Sequence, residues 1–498
     1  MAPSPPLFAT LTMFDFRTHA THKLAALGPK YLPFADVASD DVPLRQLMRL
    51  SLFQVTVGMA LVLLAGTLNR VMIVELSVPA SLVAGMLALP LLFAPLRALI
   101  GFKSDTHVSA LGLRRAPYIW KGTLYQFGGF AIMPFALLVL SGYGEAIDAP
   151  RWIGYSSAAL SFLLVGAGVH MVQTVGLALA TDLVDDTDQP KVVGLMYVML
   201  LVGMVVSALV FGALLTNYTP GRLIQVIQGA AVLTVVLNLT AMWKQEARNR
   251  ARAARMKVQP REAFNDAWRA LVQVPGTRRL LVVIALGTFG FGMADVLLEP
   301  YGGQVLGLTV ASTTKLTALL AAGTLAGFAA ASRWLGQGAD PARFARIGAA
   351  IGLPGFAAII ASAQMIGTGP GTGLFLLGTL STGLGAGLFG HATLTAVIRN
   401  APENRVGLAL GAWGAVQATA AGIGIASAGV LRDLILVGSS GADATSAAPY
   451  IAVFSIEIIM LIVAFVAFVV LGPIMRRRAT SRTAPEGQTA YANPAEAQ

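Results

Sequence analysis

The amino-acid sequence predicts an all-α membrane protein, with twelve transmembrane helices in two six-helix halves. Three observations carry that prediction. The 498 residues are 56% hydrophobic and only 12% charged, with a mean hydropathy of +0.71, against roughly 25% charged residues in a soluble domain. Apolar runs long enough to cross a bilayer once, about 20 residues, begin near residues 48, 79, 118, 153, 191, 221, 279, 311, 345, 370, 406 and 450. The basic residues alternate between the gaps: 30 of the 35 Lys and Arg fall on one side, and only Arg70, Arg151, Arg222, Lys315 and Arg432 fall on the other.

That asymmetry follows the positive-inside rule and predicts cytoplasmic termini in a bacterial inner or intracytoplasmic membrane. It also accounts for the net charge of +11 without a nucleic-acid partner. The chain contains no cysteine, which excludes disulfides and thiolate chemistry, and no free metal is expected.

Residues 1–47 read as a cytoplasmic arm, because no basic stretch precedes a single apolar segment ending at a small-residue cleavage site. Residues 48–243 form the first six-helix half. The linker, 244–278, carries nine basic and three acidic residues, and Arg279 follows at once. Within it Phe264, Trp268, Leu271 and Val272 are spaced as on one face of an interfacial helix, which suits contact with membrane lipids. Residues 279–474 form the second half, and 475–498 a polar, disordered tail.

The halves share short strings. "GFKSD" (Gly101, Asp105) after the second run matches "GQGAD" (Gly336, Asp340) after the eighth, and Val193-Gly194-Leu195 aligns with Val406-Gly407-Leu408. Two such halves joined by a basic loop resemble the major facilitator superfamily. That resemblance implies a conformational latch from Asp105, Arg114 and Arg115, although about four extra residues separate Asp105 from Gly112 here. The alternative is that these charges only cap helix ends.

Polar groups inside the runs are the candidate functional residues. His170, Gln173 and Thr174 stand at i, i+3 and i+4, so one helix face carries all three. His170 is either a packing residue or a ligand, and neutral imidazole suits an axial position on a chelated magnesium. His391 is the other intramembrane histidine, and the glycines before it (Gly383, Gly385, Gly387 and Gly390) allow close helix approach or leave room for a flat ligand. Asp295 and Glu299 face the same way at i, i+4, and Pro300, Gly302 and Gly303 predict that the helix ends or breaks beside them. The two carboxylates are a proton-coupling pair, ligand contacts, or a helix terminus at the interface. In the superfamily, spans 1, 4, 7 and 10 line a central cavity, which implies His170 and His391 toward one end and Asp295 toward the other.

Longer strings are more specific. "GTLNRVMIVELSVPASLV", "RALIGFKSDTH", "RRAPYIWKGTLYQFGGFAIMPFALLVLSG", "HMVQTVGLALATDL" and "ADVLLEPYGGQVLG" resemble the PucC/LhaA family of photosynthetic bacteria, a bacteriochlorophyll delivery branch of the major facilitator superfamily. The resemblance implies a non-enzymatic assembly factor for a light-harvesting antenna. Its partners would be bacteriochlorophyll, held transiently, or the pigment's synthesis machinery, together with antenna polypeptides. Length and the N-terminal arm lean toward the LhaA side, which serves the core antenna. An enzyme acting on pigment tails is disfavoured, since "DLVDD" is too compact for a prenyl-diphosphate aspartate motif. The alternative function is a proton-coupled transporter of a small solute.

Overall fold

The computed structural model describes residues 42–482 except 93, 95, 96, 98, 99, 101, 102, 105–112, 143–145, 147, 186, 187, 247–268, 270, 402–405 and 439–445. The helical face expected at Phe264 and Trp268, and the latch residues Asp105 and Gly112, lie outside the described residues.

All the long elements are helices. We number them α1 (Leu44–Glu75), α2 (Ala80–Leu92), α3 (Ala116–Ser141), α4 (Arg151–Thr181), α5 (Gln189–Leu214), α6 (Pro220–Met242), α7 (Thr277–Gln304), α8 (Val310–Gly336), α9 (Pro341–Ser362), α10 (Gly369–Asn400), α11 (Val406–Gly438) and α12 (Ala448–Arg482). Among the described residues, eleven are long and apolar enough to cross a membrane; α2 is shorter, with 13 residues. The chain is therefore a multi-pass membrane protein.

Local chemistry explains where several helices start and stop. Side-chain oxygens of Thr309, Asp340 and Thr368 accept from the N–H groups of Ser312, Ala342 and Gly371 and cap α8, α9 and α10. Gly142, at φ 60°, closes α3 in the left-handed region. In α1 the α-helix gives way to π-helical turns over Val62–Leu68 and Val71–Glu75, a geometry frequent at functional sites.

Two compact units make up the fold, and they interleave in sequence. The first lies within Met1–Leu61, Leu99–Ser207 and Leu223–Val258. Its helices approach through small residues, as membrane helices do. A Cβ on Gly168 would stand 2.5 Å from the Gly122 carbonyl oxygen, and Ser161 Oγ donates to Gly129 O across the same α3–α4 seam at 2.7 Å. Buried Asn238 joins three helices, accepting from Thr56 at 2.9 Å and donating to Thr123 at 3.0 Å. At the start of α3 the Glu246 carboxylate accepts from the backbone N–H groups of Arg114, Arg115 and Ala116. A carboxylate there is favoured by the helix dipole.

The second unit lies within Val62–Ala98, Ala208–Arg222 and Gln259–Gln498. In it α10 packs between α8 and α9, while α7 packs against α11 and α12. The N-terminus of α2 is capped from α11, where Asp433 accepts from the Ser81 N–H at 2.7 Å. Arg432 reaches the same carboxylate at 2.8 Å and Gln304 at 2.8 Å.

Candidate functional site

In the first unit, α4 carries His170, Gln173 and Thr174 on one uninterrupted helix. His170 and Thr174 are half-buried and Gln173 is buried, and all three engage polar or ring partners within the structure. The packed side of α4 is marked by Gly168 against α3 and by Gly176 against the ring of Phe53 on α1. Arg114 and Arg115 both grip Asp182, just beyond α4, at 2.5 and 3.0 Å, and Arg115 also reaches Ser104 at 3.0 Å.

The second unit holds the carboxylates. Glu299 is 4% exposed and accepts from the Thr317 hydroxyl of α8. Gly66, in the first π-helical turn of α1, is the close neighbour of that carboxylate, since a Cβ would stand 2.5 Å from Glu299 Oε1. Around it, Thr67 meets Thr314 at 3.2 Å, and Arg70 pairs with Glu75 and donates to Leu308 O at 3.0 Å. Tyr218, in the turn before α6, lies near this pair. Burial pushes its hydroxyl up to about 12, with Glu75 adding to the shift and Arg70 opposing it.

Helix α7 does not end at Pro300, as the Pro300-Gly302-Gly303 pattern suggests. It continues to Gln304. A proline inside a helix removes the N–H that would bond the carbonyl four residues back, here that of Val296. Asn69 Nδ2 supplies the missing donor to Val296 O at 2.9 Å. Gly303 then leaves space for Arg70, whose Nε would stand 3.0 Å from a Cβ there. Glu299 is thus an interior helical residue rather than a terminus.

Asp295 is exposed between buried neighbours and opens into a cavity of about 180 Å³ walled by α7, α8, α10 and α11. That volume is below the roughly 300–1,000 Å³ of drug-sized ligand sites. His391 on α10 is 7% exposed and lies against the Phe328 ring with centroids 4.2 Å apart. The glycines before it divide between two roles. Gly383 and Gly387 lie against the backbone of α8 and Gly385 against that of α9, whereas a Cβ on Gly390, beside the cavity, would meet nothing within 4 Å.

Several polar residues here are absent from the candidates drawn from sequence: Thr67, Asn69, Arg70, Thr317 and Glu457. Glu457, on α12, is fully buried. The signal for it is present in the chain, since a lone carboxylate inside "VFSIEIIMLI" is costly in hydrocarbon and marks a site by default.

Helices of this length, with intramembrane carboxylates beside a cavity, define a polytopic membrane protein. Solved structures support the fold. The nucleoside transporter NupG matches with a TM-score of 0.58 at 14% identity over 86% of this chain and 98% of that one. A bacterial homologue of the iron transporter ferroportin matches with a TM-score of 0.60 at 17% identity over 86% and 99%. The chain belongs to the PUCC protein family, which it matches over residues 67–479. It is 68% identical to Protein PucC of Rhodobacter capsulatus over 93% of this chain and 99% of that protein. Protein PucC of Rhodovulum sulfidophilum is 63% identical over 86% and 94%. More distantly, a bacteriochlorophyll synthase 44.5 kDa chain of Rhodobacter capsulatus is 28% identical over 76% and 85%.

Proposed function

We propose that the protein is a non-enzymatic assembly factor for a bacterial light-harvesting antenna, binding or handing over bacteriochlorophyll, antenna polypeptides or both. The observation that carries this reading is membership of the PUCC family over nearly the whole chain, at 68% identity to one Protein PucC. The likeness to a protein named as a bacteriochlorophyll synthase chain supports pigment as the cargo. Relatives that carry the PucC name favour that side of the family over the LhaA, core-antenna side suggested by length and the N-terminal arm. The membrane would be the bacterial inner or intracytoplasmic photosynthetic membrane, with both termini cytoplasmic, as the 30 to 5 split of basic residues suggests.

His170 is the residue we assign to the pigment. Chelated magnesium takes one axial donor, and the half-buried imidazole of His170 is the nitrogen donor on this face of α4. Gln173 and Thr174 supply hydrogen bonds for peripheral carbonyls. His391 is enclosed against Phe328 and suits packing better. His170→Leu keeps apolar bulk and deletes the donor, so pigment per folded protein, read from the absorbance of gently purified material, is expected to fall. His170→Gln is expected to be milder, because an amide oxygen still coordinates a hard cation. Wild-type pigment in His170→Leu would reject the assignment.

A second reading, proton-coupled transport of a small solute, draws on Asp295 at the cavity and buried Glu299. Under that reading Asp295→Asn with Glu299→Gln abolishes antenna assembly while the protein still folds. Under the assembly reading the double change is tolerated in part.

A further inference from the structure

The cavity beside Asp295 has a chemical bias unrelated to pigment. Its lining contains no Lys, Arg or His. The hydroxyls of Thr324 and Thr382 donate to their own helix carbonyls, Leu320 O and Gly378 O, at 2.9 Å each. Their protons are thereby spent, and the oxygens can only accept. Thr288 Oγ1, also in the lining, is buried with no hydrogen-bond partner among the described residues. Phe291 and Phe389 present two rings, tilted by 54° with centroids 5.8 Å apart. Behind the wall stands Glu457, fully buried, with neither carboxylate oxygen hydrogen-bonded among the described residues. It lies close enough for Asp295 to act on it electrostatically.

Gln417 adds an amide that can donate or accept, and Thr288 a hydroxyl that can do either, so the only charged side chain in the lining is the carboxylate; with the aromatic faces it favours a positively charged donor over an anion. Calcium and magnesium take six or more oxygen ligands and zinc about four N, O or S ligands, and no group of three or more His, Cys, Asp or Glu suited to a metal occurs among the described residues. The volume is too small for a macrocycle. We propose that this cavity is a binding site for a small organic monocation, a protonated amine or guanidinium, with Asp295 as its counter-ion and the Glu457 carboxyl group buried behind it. The site is independent of pigment binding.

Isothermal titration and thermal unfolding of pigment-free full-length protein in detergent test the proposal, with propylammonium chloride as the probe. Sodium chloride at equal ionic strength and neutral propionamide serve as controls. Propylammonium is expected to bind and raise the midpoint, and neither control to do so. Asp295→Asn should weaken binding by about tenfold, the loss of one charge-assisted hydrogen bond, and Glu457→Gln by less. Gly390→Leu keeps both carboxylates and fills the space open at that glycine, so it should abolish binding even if a carboxylate variant fails to fold. Absence of binding to the wild type, equal binding of propionamide, or unchanged affinity in Gly390→Leu would each overturn the proposal.

Discussion

Gly387 and Gly390 stand three residues apart on α10 and meet different neighbours. A Cβ at Gly387 would collide with the carbonyl oxygen of Thr324, which is backbone and cannot step aside, whereas at Gly390 it would meet nothing within 4 Å. Gly387→Ala is therefore expected to cost about 1–3 kcal/mol, the usual penalty of overpacking. Gly390→Ala should be neutral or stabilise by up to about 1 kcal/mol, since a helical glycine gives up conformational freedom that alanine does not have. Thermal midpoints of the two variants in one detergent check the contrast; equal losses would contradict it. The sequence displays four glycines at short spacing and allows two uses for them. Which one serves which use depends on the neighbouring helix, so periodicity alone does not decide it. The histidines behave similarly: both stand in apolar runs, yet one is half-exposed and the other is closed in by Phe328.

At the scale of helices, α7 owes its continuity past Pro300 to another element. If Asn69 supplies the donor that Pro300 lacks, Asn69→Ala leaves the Val296 carbonyl unpaired, at a cost of about 1–2 kcal/mol as for other polar contacts between membrane helices. Pro300→Ala restores an N–H within α7, so the double variant should lose less than the sum of the singles. Strict additivity in the unfolding free energies would refute the link. Hydropathy locates α7 correctly, because a long apolar run is a robust signal. The same signal does not show that α1 winds into π-helical turns, since hydropathy sums composition and is blind to hydrogen-bond register. Gly66, Thr67, Asn69 and Arg70 therefore look like isolated polar residues in the sequence, although together they embrace Glu299 and the proline step of α7. Glu457 forms no cluster in the sequence because it has no polar companion on its own helix within reach, and the charge that acts on it, Asp295, comes from another span.

For the molecule as a whole, the charge pattern makes a claim about sidedness that can be read directly. Reporter fusions at Pro260, in the basic linker, and at Gly441, between α11 and α12, are expected to show cytoplasmic and periplasmic activity respectively. Activity on the same side for both would break the alternation on which the map of crossings rests. Fold class is the most legible property of the chain. Lipid solvation requires long apolar helices, and those are visible as composition. The partition into compact units is not legible, because it depends on which helices pack together across hundreds of residues.

That partition has a consequence for the order of synthesis. The last turns of α1 belong to a unit whose other parts, α7 and α8, are made much later. Asn69 bonds the backbone of α7, and Thr67 meets Thr314 on α8. Between Glu75 and Thr317 lie roughly 240 residues, which at about 5–20 residues per second is on the order of 10–50 s of translation. For that interval a buried asparagine, already inserted with the first span, waits in the membrane before the Val296 carbonyl that it will bond exists, and Arg70 has Glu75 but not yet the Leu308 carbonyl. The nascent chain is at its most vulnerable to membrane proteases then, and a helper at the ribosome exit that shelters the first span would matter more for this protein than for one whose early helices complete their own packing.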